Sequence, residues 1–158
     1  MYTTNTFMHI HIYYGSTRGN THIVVSHLSD IFTQAGHEVS LQSVLTQKTI
    51  EPADGYIFAC GTYGHGVLQE HMDKFVHKFN KDIDLSGKSC AAIGLGDDKY
   101  DKEYNMESAV ILSEFINSHN GVPIIEPLKI NKSPLPHLHE KVQKWGEDYL
   151  KNINTHNE

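Results

Sequence analysis

The chain has 158 residues, 39% of them hydrophobic and 9% aromatic, which suits one globular domain with a continuous core. A formal charge of −6 argues against nucleic acid and anionic membrane surfaces as partners, and it permits docking to a basic protein. No signal peptide and no apolar run of membrane-spanning length is visible, and Cys60 and Cys90 stand apart outside any zinc or Cys-x-x-Cys pattern, so a reducing cytoplasm is the expected location.

Residues 1–6 read as a polar tail, and Met8 is a second candidate start. Residues 7–14 predict the first strand. A helix follows over 21–35, with Val25, Leu28, Ile31, Phe32 and Ala35 on one side and Gly36 as its stop. Residues 38–45 alternate in polarity and predict an edge strand. Beyond Pro52, residues 55–60 predict a buried strand. The next helix, over 69–80, points Met72, Phe75, Val76 and Phe79 inward. Residues 88–96 predict a strand whose small residues admit close helix packing. A helix over 104–119 offers Met106, Val110 and 112–116 to the core. The last strand spans 122–130, and the last helix spans 136–152 with Leu138, Val142, Trp145 and Tyr149 at helical spacing. Trp145 therefore reads as core. The whole gives one domain over 7–153, with a C-terminal tail over 154–158.

Strand and helix alternate five times with short connections. That pattern predicts an α/β three-layer sandwich around a five-stranded parallel sheet. With the second strand at an edge, the strand order is 2-1-3-4-5. Ligands of such sheets bind at the carboxyl ends of strands one and three, where the order reverses. The loops after strands one, three and four all leave the sheet there.

The first loop is short, polar and followed by a helix. Backbone N–H groups at a helix start lack intrahelical partners and carry the positive end of the helix dipole, so they form an anion site. Ser16, Thr17 and Thr21 add hydroxyls, Asn20 an amide and Arg18 a charge. Neutral donors of this kind suit a phosphate monoester. Neither the triphosphate-binding Gly-x-x-x-x-Gly-Lys-Ser/Thr nor the dinucleotide Gly-x-Gly-x-x-Gly occurs in this loop. The second loop, Gly61-Thr62-Tyr63-Gly64-His65-Gly66, combines glycines with one aromatic. The third runs from Gly94 through Gly96 and Asp97 to Tyr100 and Tyr104. Tyrosines from neighbouring loops clamp a flat ring by their faces. Phosphate loop, clamp and glycine backbone together describe a mononucleotide with a planar heterocycle. The 12 histidines are scattered. His9 with His11, and His137 with His139, are the pairs nearest to metal-ligand spacing, and hydrogen-bonded structural roles are the expectation for them, with no metal site.

These three stretches closely resemble the flavodoxins. Ser16-Thr17-Arg18-Gly19-Asn20-Thr21 is similar to the family's Thr/Ser-x-Thr-Gly-Asn-Thr, and the resemblance covers about residues 8–152. The resemblance implies a flavodoxin-like fold of the short-chain type and one bound FMN. It implies Tyr63 as the inner ring stacker and Tyr100 as the outer one, with Tyr104 as the alternative. Thr62, Gly64, His65, Gly66, Gly96 and Asp97 complete the implied cofactor set, with a backbone carbonyl near Gly64 turning toward the flavin N5–H. No catalytic residue is implied. The chain is expected to be a monomeric electron carrier between basic redox proteins, such as a flavodoxin reductase and an electron-accepting enzyme. An FMN-dependent oxidoreductase, a dedicated redox partner of one enzyme and a flavin-free module of the same fold are the alternatives. Three departures stand out: Val25 where alanine is usual, a second loop without its usual acid, and a charge less negative than typical.

Overall fold

A computed structural model of the chain describes residues 7–99 and 106–156. The order is β1 (His9–Gly15), α1 (Asn20–Gln34), β2 (Glu38–Ser43), β3 (Gly55–Tyr63), β4 (Val67–Leu68), α2 (Glu70–Lys74), β5 (Ser89–Gly96), α3 (Glu107–Ser118), β6 (Val122–Pro123), β7 (Leu128–Asn131) and α4 (Gln143–His156). The sheet runs β2-β1-β3-β5-β6, with β7 continuing alongside β5. These main pairings are all parallel. The expected order 2-1-3-4-5 holds, with β5 as the fourth strand and β6 and β7 sharing the fifth place.

Alternation along the strands sorts the core into two layers. Ile10 and Ile12 of β1 pack with Val24, Leu28 and Phe32 of α1 and with Trp145, Tyr149 and Ile153 of α4. Tyr13 and Phe58 face the other way, toward Met72, Phe75, Leu112, Phe115 and Ile116. Trp145 is a core residue whose indole N–H donates to the Glu126 carbonyl at 2.8 Å. The small residues of β5 have the expected use, since a Cβ on Gly94 would lie 2.5 Å from the Ala109 backbone nitrogen of α3.

Four elements differ from expectation. The helix expected over 69–80 is α2 followed by a π-helical turn, Phe75–Phe79. That wider turn swings Phe79 out to 43% exposure, although its spacing from Phe75 and Val76 pointed inward. Asn80 takes the inward place, with its amide donating to the Phe75 and Lys48 carbonyls at 2.9 Å and accepting from Ile50 N–H at 3.1 Å. The fifth strand is broken between β6 and β7, where Pro123 and Pro127 supply no N–H to a ladder. Val110 is exposed, whereas Leu112, Phe115 and Ile116 fill the core. The last helical stretch opens with a π-helical turn, Leu138–Val142, and runs on to His156, so residues 154–156 are helix where a tail was expected. No helix among the described residues is long and apolar enough to cross a membrane.

Candidate functional site

The carboxyl ends of β1, β3, β5 and β7 surround one cleft of about 510 Å³, a size typical of small-molecule sites. Four loops line it. The first contributes Gly15, Ser16, Thr17, Arg18, Asn20 and Thr21, and the second Gly61, Thr62, Tyr63 and Gly64. The third contributes Leu95, Gly96 and Asp97, and the segment after β7 adds Lys132 and Ser133.

The first loop folds on itself before the helix begins. Ser16 Oγ accepts the Gly19 N–H at 3.0 Å, and Gly19 turns into the left-handed region at φ 90°, which glycine adopts without strain. Gly19 gives α1 no side-chain cap, and no acidic residue lies in the helix's first turn. The first-turn N–H groups of a 15-residue helix therefore stand beside Ser16, Thr17 and Asn20 with no acidic side chain in that turn.

The second loop is a hairpin. β3 runs past the expected residue 60 to Tyr63, and β4 returns antiparallel, with Thr62 opposite Leu68 and Tyr63 opposite Val67. A single 3-10 turn, Gly64–Gly66, closes it. Tyr63 is 42% exposed at the cleft edge. Thr62 faces inward, and its hydroxyl bonds to Ser108 Oγ at 2.6 Å, tying the loop to α3. Cys60, just before, is fully buried, and burial pushes its thiol up to about 12, so it stays a neutral thiol.

The third loop is held by the fourth. Asn131 Oδ1 accepts the Asp98 N–H at 3.0 Å, and the Lys132 N–H donates to the Gly96 carbonyl at 2.7 Å. Lys132 Nζ lies 3.4 Å from an Asp98 carboxylate oxygen.

Eleven of the residues expected from sequence thus fall into place as follows: Ser16, Thr17, Arg18, Asn20, Thr21, Thr62, Tyr63, Gly64, Gly96 and Asp97 line the cleft, and Gly19 shapes it from outside the lining. Gly66 closes the hairpin without lining the cleft. Tyr100, Tyr104 and the His65 side chain lie outside the described residues. Lys132 and Ser133 were missed. Their signal was present, because a segment leaving the fifth strand at the carboxyl edge reaches the same crevice as its neighbours. The histidine pairs stay separate from the cleft: His9 Nδ1 meets Glu38 at 3.3 Å, His11 Nδ1 meets the Tyr13 hydroxyl at 3.2 Å, and His139 stacks edge-on with His27.

Among the described residues, the lining's ionisable side chains are Arg18, Tyr63, Asp97 and Lys132. Hydroxyls, glycine backbone and a helix start dominate it. This donor set suits a phosphate monoester with a planar ring.

The sequence model of the family described as Flavodoxin matches residues 12–145. The flavodoxin of Maridesulfovibrio salexigens is 28% identical over 140 residues, which cover 85% of this chain and 92% of that one. The crystal structure of oxidised Flavodoxin 1 from Bacillus cereus aligns with a TM-score of 0.82 at 24% identity, covering 90% of this chain and 97% of that one. The crystal structure of Fusobacterium nucleatum flavodoxin bound to flavin mononucleotide aligns with a TM-score of 0.76 at 20% identity, covering 94% of this chain and 98% of that one.

Proposed function

This chain belongs to the flavodoxin family, and from that premise we propose that its cleft holds one non-covalent FMN and that the protein passes single electrons between redox partners. The observation that supports this most is the meeting of the uncapped start of α1 with an exposed Tyr63 in one cleft. Bound FMN supplies the one-electron chemistry, and the protein supplies binding and electrostatics.

Ser16, Thr17, Asn20 and Thr21, with the first-turn N–H groups of α1, hold the phosphate by charge-assisted hydrogen bonds. Arg18 adds positive charge beside it. Tyr63 would cover one face of the ring and exclude water from it. Tyr100 is assigned to the other face from its place in the sequence, with Tyr104 as the alternative. Gly64, Gly96 and Asp97 present backbone groups to the ring edge, and His65 and Gly66 shape the turn. This reading assigns the chemistry to the bound cofactor and none to the lining residues.

The partners fitting a chain of charge −6 are basic redox proteins, a reductase on one side and an electron-accepting enzyme on the other. The same reading makes the chain a monomer working in a reducing cytoplasm. The test uses FMN-loaded protein photoreduced anaerobically with EDTA as the electron donor and mixed with oxidised cytochrome c, a basic haem protein. The haem is expected to be reduced at a rate that falls with salt. Sustained NADH consumption by the pure protein would instead make it an enzyme.

A further inference from the structure

Gln69 stands behind the cleft wall, between the end of β3 and the start of α2, and it is 2% exposed. Its amide orientation is fixed by its neighbours. The Met72 N–H donates to Oε1 at 2.9 Å, so the oxygen faces α2 and the NH₂ group faces the other way. There, Nε2 lies 2.9 Å from His71 Nδ1 and 3.4 Å from Thr17 Oγ1 in the first loop. The Gln69 backbone N–H donates to the Gly61 carbonyl of the second loop at 3.2 Å. Space for this side chain depends on Gly15, where a Cβ would sit 2.3 Å from Gln69 Oε1.

One consequence concerns the Thr17 hydroxyl. A hydroxyl that accepts a hydrogen bond on one side directs its own hydrogen elsewhere. Thr17 lines the cleft, and its Oγ1 accepts from Gln69 behind the wall. We propose that Gln69 is a positioning residue that makes the Thr17 hydroxyl a donor toward an anion in the first loop, and so sets the preference for a phosphorylated flavin. This rests on the FMN reading above. A glutamate at 69 would keep an oxygen on the Met72 N–H but would accept the Thr17 hydrogen, reversing the bond and adding negative charge. A leucine would remove the donor.

The test titrates flavin-free protein with FMN and with riboflavin, following flavin fluorescence. Wild type is expected to prefer FMN. Gln69→Leu is expected to lose about fivefold in FMN affinity with riboflavin unchanged, in keeping with one modest hydrogen bond. In a Thr17→Val background the same substitution is expected to cost nothing, because the bond's acceptor is gone. If Gln69→Leu does not fold, Gln69→Glu is read in its place, and it too must lose FMN affinity selectively. Equal weakening of both flavins, an unchanged FMN affinity, or the same loss in the Thr17→Val background would each overturn the proposal. A wild type that does not prefer FMN over riboflavin would overturn the FMN reading itself.

Discussion

The first and second loops of the cleft are built in opposite ways. The first is held from within and behind, by Ser16 on Gly19, by Gln69 on Thr17, and by Thr21 at 3% exposure. The second projects: Tyr63 and Val67 are both more than two-fifths exposed on a hairpin closed by glycines. Affinity and adaptability therefore reside in different loops. A phosphate needs fixed donors, and a preorganised loop supplies them without an ordering cost on binding. A ring face needs area and a backbone able to adjust, which a short glycine-rich hairpin provides.

The strongest way to break this division is to alter the anchor alone. Asn20→Asp puts a carboxylate in the first turn of α1, where the helix dipole favours it, so thermal stability is expected to hold or rise. FMN affinity is expected to fall about 100-fold, about 2.7 kcal/mol, from like-charge repulsion, with riboflavin unaffected. Isothermal titration with both flavins reads the contrast.

Next comes the wall common to both loops. Gly15→Ala would place a methyl group against Gln69 Oε1 and Met72. Overpacking there is expected to destabilise the fold by about 2 kcal/mol. The urea midpoint should fall with an unchanged slope.

Tyr63→Ala acts on the other loop. It is expected to weaken FMN and riboflavin equally, by about 1 kcal/mol beyond the lost contact area, and to leave their ratio as in wild type. A change in the ratio would mean that the two loops are not separable.

The smallest effect lies far from the cleft. His37 is buried beneath β1, and its Nδ1 accepts the Met8 N–H at 3.1 Å, which only the neutral ring allows. Burial lowers its pKa below the ordinary 6.5. Below that ordinary value the unfolded chain binds the proton more readily than the folded one. The stabilisation is therefore complete at neutral pH and lost progressively as pH falls from about 6.5. His11, also lowered by burial and by His9, works in the same direction. Urea midpoints at pH 7.5 and 5.5 should drop more in wild type than in His37→Gln, with flavin preference untouched.

The fold was legible because the helix periods are strong, the edge strand β2 alternates in polarity and the central strands β3 and β5 are buried almost throughout. What stayed hidden was set by backbone detail. The π-helical turn at Phe75–Phe79 leaves no mark in a pattern of apolar spacing, so Phe79 looked inward. The fifth strand's two prolines did announce its break, yet the apolar residues around them read as one run. In the site, hydroxyls and glycines before a helix are ordinary turn residues, and the first loop stood out only because two further loops leave the sheet at corresponding strand ends. Gln69 did not, because its role comes from the reach of one side chain across Gly15 to Thr17, 52 positions away in the chain. Lys132 and Ser133 follow from topology and not from any motif.

The central claim is that one cleft binds one FMN by its phosphate and its ring together. Titrating flavin-free protein with FMN, followed by fluorescence and by the visible flavin bands, tests it most directly. The account predicts saturation at one FMN per chain with the flavin fluorescence quenched by Tyr63. Absence of binding, or binding in which FMN and riboflavin compete as equals, would contradict it.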